Sequence, residues 1–170
     1  MFALTAGREN VSMKRPPFLI VTLLAVATTS CSWTPFQPVP PEDFLWSQEG
    51  KTLLDVRKAL LGCGLPNVTG MGRAIREMTE NQLAAFDRCM LGEGYIYKYG
   101  TSRLICATQP SLNLPECRSD APVPRPDNSR RLNSEYCERK RSYAFCKKNA
   151  INPAACESMD FDNPPPECLP

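Results

Sequence analysis

The chain has 170 residues, 20 basic and 18 acidic, with 17 Pro, nine Gly, nine Cys and no His. With no imidazole, His-ligated zinc sites and the Ser-His-Asp and Cys-His catalytic arrangements are excluded. The length suits one domain or two small modules, and the cysteine density points to an oxidising compartment.

The first predicted element is a targeting segment. Phe18 to Ala27 is an apolar run of ten residues, and Lys14 and Arg15 stand before it across Pro16 and Pro17. It is too short to span a bilayer, which takes about 20 residues. A basic stretch followed by a short apolar one reads as a signal peptide over residues 1–30. Met13-Lys14-Arg15 makes a more natural start than Met1. Ala25-Val26-Ala27 offers a small-residue cleavage site for the ordinary signal peptidase.

Thr28-Thr29-Ser30-Cys31 follows four residues on. It resembles the lipobox of bacterial lipoprotein precursors, although Thr28 stands where that family usually has Leu. The resemblance implies a thioether-linked diacylglycerol on Cys31 and an acylated amine, palmitate being the typical acyl chain. Several chains give stable anchoring where one is marginal. Ser32, in place of the Asp that retains enteric lipoproteins in the inner membrane, implies the outer membrane. Cysteine parity points the same way, because removing Cys31 from nine leaves an even eight. The alternative is cleavage after Ala27, giving a freely secreted effector or inhibitor with an unpaired Cys31.

Residues 31–43 hold Pro35, Pro38, Pro40 and Pro41 and read as an extended tether, with Trp33 and Phe36 suited to the headgroup level. Thr52 to Asp55 and Thr79 to Gln82 have the capping-box pattern and start two short helices. The first carries an apolar stripe of Leu53, Val56, Leu60 and Cys63 and stops at Gly62, Gly64 and Pro66. The second carries Leu83, Phe86 and Met90 with Cys89 beside them and stops at Gly92. Cys63 with Cys89 is the preferred bridge. Tyr95, Tyr97 and Tyr99 alternate with Ile96 and Lys98, and Gly100-Thr101 turns the chain toward Arg103–Cys106, which reads as a β-hairpin. The tyrosines are expected to cover the core, with a binding face as the alternative. Cys106 and Cys117 bracket a Pro-containing loop.

Residues 121–129 form a second Pro-rich linker. Beyond it, Asn133 and Ser134 cap a helix expected to run to about Lys148, and Pro153 starts a short one. Cys137 and Cys146 lie on opposite sides of that helix. Nested bridges, Cys146 with Cys156 inside Cys137 with Cys168, fit the spacing. The pattern resembles, in spacing only, the twin-cysteine helical hairpins of the mitochondrial intermembrane space. Eight cysteines allow 105 connectivities, so these pairings are preferences.

The fold class expected is therefore small, mainly α and disulfide-rich. It comprises two short helical hairpins with a small β-hairpin and Pro-rich linkers, arranged as modules 44–120 and 130–170. Reduction is expected to unfold 130–170 first.

Taking the three basic and one acidic residues of 1–30 away leaves 17 of each sign, which argues against a nucleic-acid partner. Eight basic residues between Arg125 and Lys148 precede a tail holding only Glu157, Asp160, Asp162 and Glu167. They are expected to lie against that tail, with anionic lipid as the alternative partner. No C-x-x-C, phosphate loop or calcium loop is present, so no catalytic residue, metal or cofactor is expected. Glu80 and Asp87 are expected on a solvated helix face, and an envelope hydrolase using carboxylates is the third reading. The leading expectation is a lipid-anchored cell-envelope protein of structural or interaction type, held by the membrane through Cys31 and meeting an envelope protein partner.

Overall fold

The computed structural model describes residues 40–69, 73–101 and 104–170. The leader, Cys31 and the tether as far as residue 39 lie outside the described residues, as does Arg103 of the expected return strand. Two helices make the centre, and each starts as its sequence dictates. Helix α1 is Leu53–Cys63. Thr52 Oγ1 accepts from Asp55 N at 3.3 Å, and Asp55 Oδ2 accepts from Thr52 N at 2.8 Å. This reciprocal pair satisfies two amides that the first turn leaves open. The short helix α2, Arg73–Arg76, follows, and then α3, Glu80–Gly92. Thr79 and Gln82 repeat the same box at the start of α3. α1 stops where Gly64 takes φ 108°, a left-handed conformation that a side chain disfavours. Leu65 N then bonds back to Leu60 O at 2.9 Å, and Tyr95 N to Met90 O at 3.0 Å closes α3 likewise.

Val56, Leu60 and Leu61 of α1 and Phe86 and Met90 of α3 are buried together. Leu53, expected in the stripe, is 41% exposed, because the first turn projects beyond the packed face. The strand pairing also differs from expectation. β1, Trp46–Ser47, pairs antiparallel with β2, Ile96–Tyr97, in the register Trp46 to Tyr97 and Ser47 to Ile96. Ile105 and Cys106, expected in the return strand Arg103–Cys106, lie instead in helix α4, Ile105–Thr108. Asp87 of α3 explains this. Its carboxylate is buried and accepts from Ile105 N at 3.0 Å, placing a negative group at the start of that turn. Asp87 thus sits inside, not on the solvated face expected for it, whereas Glu80 is exposed. Trp46 takes the vacant strand position because its ring meets Phe86 and Tyr97 edge-on, at 5.9 and 5.2 Å. Tyr95 and Tyr97 are buried and cover the core, while Tyr99 is exposed.

The Pro-rich stretch 121–129 crosses the ends of α1 and α3 as a strap. Asp127 N donates to Gly62 O at 3.1 Å, and Arg88 of α3 donates to Glu116 O and Ala121 O. A Cβ at Gly62 would stand 3.0 Å from Pro126 Cβ, so glycine there permits the close approach. Helices α5, Asn128–Leu132, α6, Glu135–Arg141, and α7, Tyr143–Asn149, follow. The single helix expected from 134 to 148 is broken at Ser142. This residue is extended (φ −131°, ψ 113°), and its Oγ accepts from Phe145 N at 3.2 Å. Serine favours such a cap over a helix interior. Pro153 opens a 3-10 turn, Pro153–Ser158, with the Asn152 side chain accepting from Ala154 N.

Tyr136 N bonds to Pro66 O at 3.2 Å, and Tyr136, Cys137 and Cys168 are buried in the same cluster as Leu60 and Phe86. The described residues accordingly belong to one compact unit. The stretches 44–120 and 130–170 share a core, and 121–129 packs between them.

All eight described cysteines are bridged, as Cys63–Cys89, Cys106–Cys117, Cys137–Cys168 and Cys146–Cys156, with Cα–Cα distances of 5.6, 5.3, 5.2 and 6.0 Å. In the chain-entropy picture the separations of 31 and 10 residues correspond to about 3.7 and about 2.7 kcal/mol of stabilisation. The two nested bridges also differ in where they sit. Cys137 and Cys168 sit in the common core, whereas Cys146 and Cys156 close a separate excursion. The expectation for 130–170 can therefore be sharpened into a test of each bridge separately. Replacing Cys146 and Cys156 with Ser should raise amide hydrogen exchange over 143–158 alone. Replacing Cys137 and Cys168 should raise it across α1 and α6 together.

Candidate functional site

Sequence reasoning singled out cysteines; the structure adds a charged network beneath the surface. Asp43, in the 3-10 turn Glu42–Phe44, and Glu167, in the 3-10 turn Pro166–Cys168, are 3% and 2% exposed. Buried carboxylates are costly unless they are paired. Arg57 of α1 supplies the pairing. Its Nε lies 2.8 Å from Asp43 Oδ2 and its Nη1 3.6 Å from Glu167 Oε1. The Tyr136 hydroxyl of α6 donates to the same Glu167 oxygen at 2.8 Å. Buried Arg131 of α5 donates to the carbonyls of Glu167 and Leu169 at 2.7 and 2.6 Å. Four separate segments are thereby joined through one guanidinium and one carboxylate.

The electrostatics follow from this enclosure. Burial raises the Tyr136 phenol well above its ordinary value, and its bond to Glu167 raises it further. The hydrogen bond to Asp43 raises the Arg57 guanidinium despite its partial burial. Burial also raises Tyr95. Asp43 Oδ1 and Trp46 Nε1 are buried with no hydrogen-bond partner.

Several charges of the C-terminal half are met from within it. Lys147 Nζ meets Glu157 Oε1 at 2.8 Å, and Tyr143 donates to the same oxygen at 2.8 Å. Both bonds, Lys147 first, hold the Glu157 carboxyl below its usual range. Arg139 pairs with Glu135, Arg141 donates to the carbonyls of Leu132 and Cys137, and Arg130 to that of Gly62. Of these cations' contacts, only Lys147 with Glu157 joins the basic stretch to a carboxylate of the tail expected to face it; the others stay within one helix or end on backbone carbonyls.

Two surface grooves flank α6. One, of about 450 Å³, is lined by Asn67, Thr69, Glu77, Glu135, Arg139 and Ile151 among others. The second, of about 250 Å³, shares Asn67, Thr69, Arg139 and Ile151 and is also lined by Tyr136 and Met159. The Asn67 side chain is spent on a local turn, accepting from Thr69 N and Oγ1 at 2.9 and 3.0 Å. Two carboxylates do share the larger groove, and Arg139 engages that of Glu135. Among the described residues no group of three or more His, Cys, Asp or Glu is placed to hold a metal ion.

Of the residues expected to matter, the eight bridged cysteines are found in pairs, and Cys31 lies outside the described residues. Asp43 and Arg57 were not anticipated, whereas Arg131 was one of the basic residues expected against the tail and bonds to its backbone. No family model, curated protein or solved structure matches the chain.

The network makes a pH-dependent prediction. Unfolded phenols ionise near pH ~10. The folded Tyr136 keeps its proton to higher pH, so above pH ~10 the unfolded chain binds fewer protons and stability falls as pH rises. At neutral pH, Tyr136→Phe should cost about 1.5–3 kcal/mol, the worth of a hydrogen bond to a charged group. That gap should narrow between pH 8 and pH ~11, as read by chemical denaturation; Tyr95 leaves a residual alkaline loss in both proteins. Arg57→Met, which strands two buried carboxylates, should cost about 3–5 kcal/mol at neutral pH.

Proposed function

We propose that the protein is a lipid-anchored cell-envelope protein of structural or interaction type. It would be held by a diacylglycerol on Cys31 and lifted from the membrane by the Pro-rich tether. One observation carries the reading. The other eight cysteines are bridged to one another, which leaves the ninth without an intrachain thiol partner. Free thiols are poorly compatible with an oxidising compartment, and alkylation by lipid removes the thiol. The lipobox-like Thr28–Cys31 and the preceding basic and apolar stretches agree with this.

The folded part also suits such a role. Its buried ionic groups tie segments together, and its bridges keep small helices in register without a long amphipathic stripe. No described helix is long and apolar enough to cross a membrane. The outer membrane is the destination that Ser32 favours. The expected partner besides the membrane is another envelope protein.

The Ala25-Val26-Ala27 site favours a second reading, a secreted effector or inhibitor beginning at Thr28. That form keeps a free Cys31 and should give thiol-linked dimers.

Expression in a bacterial host with radiolabelled palmitate tests the proposal. Label should enter the protein, and Cys31→Ala should abolish it. Label that persists in the variant, or a mature chain starting at Thr28, would refute the anchor.

A further inference from the structure

We infer that Cys106–Cys117 is a redox-active bridge, which a dithiol reductant opens and an oxidant closes again while the rest of the folded unit keeps its structure. The inference is independent of the lipid reading of Cys31.

Access singles this bridge out. Thiol–disulfide exchange needs a thiolate to reach one sulfur of the bond, so its rate depends on exposure. Cys106 and Cys117 are half-buried. The cysteines of the other three bridges are buried, at 5% exposed or less. A buried bridge must wait for the surrounding structure to open. The rival is Cys146–Cys156, which closes an excursion outside the common core. Both of its cysteines are 1% exposed, and Met159 Sδ stands 3.7 Å from Cys146 Sγ.

Both ends of the bridge are held without it. Cys106 lies in α4, where Ile105 N donates to the buried Asp87 carboxylate at 3.0 Å. Cys117 ends the 3-10 turn Pro115–Cys117, where Glu116 O accepts from Arg88 Nη1. Nη2 of that guanidinium donates to Ala121 O at 2.8 Å. Asp87 and Arg88 are consecutive in α3, which Cys63–Cys89 anchors separately. Opening the bond therefore leaves the two thiols close together on one helix turn. Between them, residues 107–113 and Pro115 are exposed, and Leu114 and Glu116 are only partly covered. So little burial leaves the stretch 107–116 dependent on the bridge for its order.

A thiolate of the reductant attacks one bridge sulfur. The S–S bond breaks, a mixed disulfide forms, and the other cysteine leaves as a thiolate that takes up a proton. The second thiolate of the reductant then attacks the mixed disulfide and releases the second cysteine. Two electrons and two protons pass to the protein, and the reductant leaves as a disulfide. The separation of 11 residues differs from the close C-x-x-C of dithiol catalysts, so the bridge is the substrate of such a reductant.

The test uses the full purified chain. Thiols free at the start, an unlipidated Cys31 included, are blocked with N-ethylmaleimide. Dithiothreitol is then added under native conditions, and thiols released over time are trapped with deuterated N-ethylmaleimide and located by peptide mass mapping. Cys106 and Cys117 should be labelled first and together, at least about tenfold faster than any other pair, as their access to an attacking thiolate requires. Amide hydrogen exchange of the two-thiol species should rise over 107–116 and stay unchanged in α1 and α3. Transfer to oxidised dithiothreitol should restore the original pairing. Another bridge opening first, all four opening together, loss of protection in α1 or α3, or closure into a different pairing would each overturn the inference.

Discussion

Arg57 is the contact on which the arrangement turns. Without a cation at that point on α1, the carboxylates of Asp43 and Glu167 would be buried with no ionic partner. Those two carboxylates fix the segments at opposite ends of the described chain against one helix. The guanidinium fork reaches both at once, which a lysine's single ammonium does less well. Tyr136 then completes Glu167 from α6, and Arg131 holds the backbone of the same turn. A network so enclosed adds little net energy over a hydrophobic replacement of equal shape. Its effect is to make alternative packings of these short pieces expensive.

Shortness is the second constraint. Among the described residues the longest helix, α3, has 13 residues, and α5 to α7 have five to seven each. Isolated helices of that length are marginal in water. They persist here because bridges shorten the unfolded chain's freedom and because the strap at 121–127 ties the ends of α1 and α3 to α5. Gly62 serves twice, giving Pro126 room and offering its carbonyl to Asp127 and Arg130.

What was legible in the sequence was local. Capping boxes at Thr52 and Thr79, the glycine stop at Gly64 and the Asn152-Pro153 start are written within a few residues. The bridges were legible because helix periodicity and spacing limit which thiols can meet. The strand partner was not. Trp46 lies 51 positions before Tyr97, and only the edge-on meeting with Phe86 selects it. The helix at 105–108 was hidden because its cap, Asp87, comes from another element. Arg57 was one cation among twenty, and no spacing marks the residue that will face Asp43 and Glu167. The Pro-rich stretch read as a linker since composition reports stiffness but not what a stiff segment lies upon. Ser142 was the exception, a local signal present but outweighed by the helix-forming residues on either side.

The order of the bridges along the chain has a consequence for how it becomes oxidised. Read from the N-terminus, the first two bridges join consecutive cysteines, Cys63 with Cys89 and Cys106 with Cys117, whereas the last two are nested. With Cys31 taken up by the proposed lipid, an oxidant that joins each remaining cysteine to the next one to emerge would make the first two correctly and then join Cys137 to Cys146. That error also leaves Cys156 and Cys168 to find each other, giving a four-bridge isomer with every thiol consumed. Escape requires thiol–disulfide exchange. Maturation of this chain thus divides at the strap: the part before it tolerates hasty oxidation, and the part after it depends on α6 and α7 forming before their cysteines react.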